Sequence, residues 1–313
     1  VGQRRHLLPR HPDLARTRCI EAAEAMQQRR LAGAGGPDDR NALAVAHFEI
    51  DVLQHVETQT TIVEGLAEPL CSDDDLIVPG AIARVLVELE AAPTFVVVDA
   101  EVRGPDLIRT YQERRLPFRG RRTYSEDRTP QFFSECVRHL SFIGCLVVQR
   151  EFWLSRERPR YFGSYFIHVG VLFQAPIPGE VVVLGESLVQ IRYGLASWSS
   201  RTFEIWMFKW PDLLWSFTWI PEPLRRAANP RSPWKTPQRL VALKAIGAYD
   251  AATYRDIVRP RVSRRLDRLV PFLAQIVPGH LAYAVTRIAA RIRDPNDFIH
   301  VSLDQSRFRW GPL

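Results

Sequence analysis

The sequence predicts an α+β protein in which a short parallel α/β core leads into an antiparallel β-meander and then a C-terminal helical segment. Two short apolar runs, 94–98 (TFVVV) and 145–148 (CLVV), are separated by helix-like sequence, the outline of strand, crossover and parallel strand. Between 161 and 208 the runs SYFIHVGVLF, EVVVLG, SLVQIRY and RTFEIWMF are broken by Pro-Gly, Gly or Ser turns, which reads as a meander. Beyond 237 apolar residues recur every three or four positions, the helical period.

Taken in order, residues 1–12 read as a basic arm and 14–31, rich in Ala, Glu, Gln and Arg, as a helix. AGAGGPDD at 32–39 is a break, after which Val45, Phe48, Val52 and Val56 share one helical stripe. Asp73, Asp74 and Asp75 precede Pro79 and an Ala/Leu/Val/Glu run to Ala92, so they are expected at a helix N-terminus. Helices are expected over 105–115 and 129–141, flanking a basic loop. Prolines 221, 223, 230, 233 and 237 mark a linker over 221–237. In the tail, Val262, Leu266, Leu269, Leu273 and Ile276 form one stripe, interrupted by Pro271, and Leu281, Val285, Ile288 and Ile292 form a second. Residues 298–303 close the chain as a strand. The expected division is an arm with the first helix (1–40), a mixed body (41–220), the linker, and a basic helical segment (238–313).

Bulk properties narrow the function classes. A chain of 313 residues removes about three quarters of its unfolded surface from water, and 46% hydrophobic with 25% charged residues excludes disorder over most of it. No run reaches the roughly 18 uninterrupted apolar residues of a membrane span. Arg4, Arg5 and His6 precede no apolar run, so no secretory signal is expected. Cys19, Cys71, Cys136 and Cys145 form no C-x-x-C pair and are too few for a disulfide framework. Free, mostly buried thiols in a soluble, cytoplasmic protein are the expectation. P-loop, dinucleotide, G-x-S-x-G and H-E-x-x-H signatures are all missing, so no cofactor is expected.

Charge placement is the most informative bulk feature. Residues 236–313 hold thirteen basic groups against six aspartates and no glutamate, a net of +7, and the rest of the chain is neutral. That asymmetry points to a polyanion partner, with nucleic acid the leading expectation. Arg261, Arg264, Arg265 and Arg268 fall beside the first apolar stripe, and Arg287 and Arg291 repeat the pattern on the next helix. An enzyme acting on an anionic substrate is the alternative. Asp99 and Glu101, following a buried strand, would supply acid–base chemistry, and Arg119, Arg121, Arg122 and Arg128 an anion clamp. A third expectation is a protein partner docked on the stretch from Trp198 to Trp219, with Trp206, Trp210 and Trp215 between. His47, Asp51 and His55 share one helix flank, but that flank lies off the apolar stripe, and no metal is expected there.

Overall fold

The computed structural model describes residues 68–70, 75–194, 199–293 and 299–309. The expected helices before residue 60, the 32–39 break, Cys19, Cys71, Asp73, Asp74, Trp198 and the His47, Asp51, His55 flank lie outside them. The first part of the described chain runs β1 (Glu68–Leu70), β2 (Leu76–Ile77), α1 (Ala81–Leu89), β3 (Phe95–Arg103), β4 (Thr110–Gln112) and β5 (Gly120–Tyr124). There follow α2 (Thr129–Cys136), β6 (Leu146–Val148), α3 (Arg150–Leu154), α4 (Ile167–Phe173) and β7 (Val181–Arg192). The seven strands form one sheet in the order β1–β6–β3–β7–β2, with β4 added to β3 and β5 to β7. The α+β expectation holds, since helices outside the sheet alternate with a mixed sheet.

The TFVVV run forms the centre of the sheet, as its burial on both faces requires: every residue from Phe95 to Ala100 is buried. Its parallel partner, however, is β7 (Phe95 opposite Val181, Val98 opposite Leu184), whereas β6 runs antiparallel to it, with Phe95 opposite Val148. A fully apolar run does not encode strand direction. Direction is set by where the intervening chain returns, and only the connection to β7, which carries α2, α3 and α4, makes a parallel crossover.

Three further expectations are corrected. Residues 105–115 are not a helix: the Asp106 carboxylate accepts from the Ile108 N–H (3.0 Å), Gly104 N–H donates to Arg109 O (2.9 Å), and β4 folds back onto β3. The Gly-Pro-Asp sequence is turn chemistry, not a helix start. The meander dissolves as well. EVVVLG and SLVQIRY are one continuous strand, β7, and Gly185 lies within it opposite Gly120. A Cβ at Gly185 would sit 2.8 Å from Phe118 O, so this glycine lets the β5 backbone pass instead of marking a turn. SYFIHVGVLF contains α4, whose Gly170 lies under the Tyr161 ring. Finally, Asp75 does not cap α1. Its carboxylate accepts from the Arg192 N–H (3.0 Å), and α1 starts after Gly80 with no acid in its first turn.

Aromatic rings tie the sheet to its helices. Phe95 meets Phe132 of α2 at 5.6 Å between centroids, Phe132 meets Phe173 of α4 at 5.7 Å, and Phe133 meets Phe173 at 5.0 Å. The C-terminal part is helical. It comprises α5 (202–216, whose turn Ile205–Lys209 is π-wound), α6 (Glu222–Ala228), α7 (Pro237–Ala245), α8 (251–261, π-wound at Tyr254–Val258), α9 (Leu269–Ile276), α10 (Gly279–Arg293) and α11 (Ile299–Asp304). Thus RTFEIWMF and the described part of 298–303 (299–303), both expected as strands, are helical, since a short stretch of two-residue alternation does not exclude the helical period. The proline-rich stretch 221–237 holds α6 and buries Asn229 and Trp234. Pro271 is accommodated in the first turn of α9, where its missing N–H is not needed.

Candidate functional site

Asp99 sits in β3 at an irregularity in its pairing with β7, where Val98 faces Leu184 but Asp99 faces Ser187. The side chain is 0% exposed. Oδ1 accepts from the backbone N–H groups of Ala100 (2.8 Å), Arg115 (2.9 Å) and Leu116 (3.0 Å), while Oδ2 has no hydrogen-bond partner. Burial pushes this carboxyl above its ordinary range, against those three donors. Nearby lie other interior polar groups. His139 Nε2 donates to Val98 O (2.7 Å) and the ring is pushed down to about 3 by burial, with the Arg115 charge adding to the shift. Cys145 donates to Phe142 O (2.9 Å), its thiol pushed up to about 12 by burial. His168 Nε2 donates to Leu140 O (2.6 Å) and is pushed down to about 4 by burial. These groups are neutral or bound to backbone, the arrangement of a cluster that fixes loops. Glu101, the second expected acid, pairs with Arg103 at 2.8 Å.

Two of the four arginines expected to clamp an anion are engaged by the protein's own carboxylates. Arg121 binds Glu88 (2.8 Å), and Arg122 binds Glu135 (3.0 Å) while stacking over Phe118. Arg128 donates twice to Gln131 and lies over Tyr124. Arg119 is exposed. Among the described residues, no three His, Cys, Asp or Glu side chains gather as metal ligands. The tryptophans serve the interior: Trp210 is buried against Phe166, while Trp215 and Trp219 donate to Asn229 O (3.1 Å) and Phe173 O (2.8 Å). An open cleft of about 360 Å³ beside α5 is lined by Arg160, Tyr161, Lys209, Asp212 and Ser216. Its Lys209 donates to Gly163 O (2.6 Å). None of the expected catalytic, anion-binding or nucleic-acid-binding residues lines this cleft, although Lys209, Asp212 and Ser216 belong to the stretch from Trp198 to Trp219.

The C-terminal helices depart most from expectation. Both apolar stripes point outward, except that Val262 of the first is buried. Leu266, Leu269, Phe272, Leu273 and Ile276 are exposed on and just before α9, and Leu281, Val285, Ile288 and Ile292 are exposed along α10. Leu266 is 86% and Ile292 79% exposed. The inward faces use smaller or polar-tipped residues. Ala274 packs in the cluster of Leu240 and Leu243 of α7, while Ala282, Tyr283 and Ala290 pack in the cluster of Ala245. A helical period gives the phase of a stripe but not the side on which its neighbours lie. Here α7 takes the small-residue side of both helices, and the large aliphatic side chains are left facing out.

Arginines border this face. Arg261 pairs with Glu204 (2.6 Å), Arg268 donates to Val262 O (2.5 Å), and half-buried Arg287 donates to Tyr283 OH (3.3 Å). Among the described residues, exposed Arg264, Arg265 and Arg291 have no carboxylate partner. The sole acid between 257 and 292, Asp267, is taken by Lys235 at 2.9 Å. Among the described residues, five of the six expected C-terminal arginines (264, 265, 268, 287 and 291) therefore have no carboxylate partner, and they flank an apolar surface instead of forming a continuous basic one. The helices α9 and α10 are bent by 96° at their break, and no single helix among the described residues is long and apolar enough to cross a membrane. Comparison with protein-family models, with curated proteins and with solved structures finds no match for the chain.

Proposed function

We propose that this chain is an attachment protein, in which the α/β body serves as scaffold and the α9–α10 face docks on a partner surface. The observation that supports this reading is the set of nine large apolar side chains turned outward on two adjoining helices. Single exposed Leu residues are ordinary, whereas a contiguous apolar surface with a polar border marks an interaction site. The catalytic alternative gains less support, because Asp99 is closed off and bound to backbone, and two of its expected clamp arginines are paired.

Retention of the full chain on a phenyl matrix, read together with fluorescence of a dye that binds apolar surface, tests the reading. Wild type is expected to be retained and to bind dye. The L269S/L273S/I288S variant is expected to lose both while keeping its far-ultraviolet circular dichroism, since all three positions face out. Equal behaviour of the two proteins would mean that this face is covered in solution and would remove the reading.

The charge partition favours a second reading, nucleic-acid binding. Contacts from Arg264, Arg265, Arg287 and Arg291 to four phosphates would weaken duplex binding roughly a hundredfold between 50 and 200 mM salt. Duplex binding that keeps this salt dependence in L269S/L273S/I288S would favour the second reading over the first.

A further inference from the structure

We propose that the partner seated on the α9–α10 face is an anionic phospholipid bilayer, with both helices lying in the plane of its headgroup boundary. The inference rests on the docking role of that face and names its occupant. Charge complementarity is the first reason. Between 257 and 292 there are seven arginines and one acid, the acid is neutralised by Lys235, and Arg264, Arg265 and Arg291 are exposed beside the apolar side chains. Guanidinium groups in this position reach lipid phosphates while the aliphatic side chains enter the acyl boundary.

The chemistry of the face is the second reason. Its apolar side chains are Leu, Ile, Val and one Phe, with no Trp, Tyr or Met among them. Protein interfaces favour those three and intersperse hydrogen-bonding groups, whereas a bilayer asks only for apolar bulk edged by cations. A nucleic acid would set its phosphates against Leu and Ile, which offer them nothing.

Neither helix alone is long enough to cross, which favours the in-plane arrangement. α9 has 8 residues and α10 has 15. At 1.5 Å per residue they extend about 12 and 22 Å, short of the roughly 30 Å hydrocarbon core. Buried Ala282, Tyr283 and Ala290 also hold the inner face of α10 in the protein core. Taken together, the bent pair reaches the apolar length and composition of a span, consistent with affinity for lipid.

Vesicle co-sedimentation of the full chain tests the proposal, with phosphatidylcholine alone and mixed with phosphatidylserine. Binding is expected to be roughly tenfold or more tighter with phosphatidylserine, and to weaken as salt rises. The R264Q/R265Q variant should lose most of the phosphatidylserine preference while its retention on a phenyl matrix is unchanged. L273S/I288S should lose vesicle binding by roughly tenfold or more. Should that variant not fold, L266S/I292S removes two of the most exposed side chains and is expected to lose binding likewise. Equal binding to both vesicles, binding untouched by the serine variants, a concentration-dependent dimer that leaves vesicles free, or tighter binding to duplex DNA than to phosphatidylserine vesicles would each overturn the proposal. Dye binding and matrix retention that persist through such a result leave the docking face standing and remove only the lipid. Their loss removes both.

Discussion

Replacing Phe133 by Ala is expected to lower unfolding free energy by about 3–5 kcal/mol, the range for deleting a buried aromatic ring. Phe133 is 0% exposed on α2, and its ring meets Phe173 edge-on at 5.0 Å and Phe217 edge-on at 6.1 Å. One side chain therefore ties α2 to α4 and to the end of α5, and the chain of rings through Phe132 continues to Phe95 in the central strand. Its loss leaves a cavity beside the Phe173 and Phe217 rings, which are themselves buried in the packed core. Phe133→Leu keeps most of the volume and is expected to cost about 1 kcal/mol. Denaturant midpoints at constant slope give both values. The informative contrast is Leu266→Ser on the outward stripe, expected within about 0.5 kcal/mol of wild type because nothing packs on that side chain. A Phe133→Ala loss below about 1 kcal/mol would mean that these rings are not the centre of the core.

That contrast also shows where the sequence is readable. TFVVV announces its own burial, since five apolar or β-branched residues in a row have no polar side to turn to water. Gly185 does not announce its role. A glycine between two apolar runs reads as a turn, and only the backbone of β5, which lies far off in sequence, shows why a side chain is excluded there. The same holds for charge. Arg121 meets Glu88 across 33 residues and Arg261 meets Glu204 across 57, so which arginines remain free is decided by long-range pairing that no local pattern carries. The C-terminal stripes were legible as stripes, although Val262, counted in the first, turns inward and Phe272 joins the outward face. Their direction was not legible, because Ala274, Ala282 and Ala290 look like mere spacers until α7 is seen against them.

Asp99→Ala is expected to cost about 3 kcal/mol, because it strips the acceptor from buried backbone donors in two separate segments. The Arg115 and Leu116 N–H groups would lose their partner, releasing the loop that follows β4. Asp99→Asn keeps one acceptor oxygen in the same place and should cost about 1 kcal/mol. The two substitutions differ again in their pH dependence. Burial raises the Asp99 carboxyl above its ordinary value, so the native state binds that proton more tightly than the unfolded chain. Between the ordinary and the raised value, stability therefore increases as pH falls. His139 and His168 oppose this. Both are held neutral by burial, at about 3 and about 4, so the unfolded chain takes up their protons first. Below about 6.5, the ordinary histidine value, stability falls with pH until those folded values are reached. Wild type is thus expected to lose stability as pH falls below about 6.5, with Asp99 offsetting part of the loss between its ordinary and its raised value. Asp99→Asn removes the offset and should steepen the acid decline, measured as unfolding free energy against pH for the two proteins. An identical slope in wild type and Asp99→Asn would show that Asp99 titrates as an ordinary exposed carboxylate, and the buried three-donor arrangement would then be wrong.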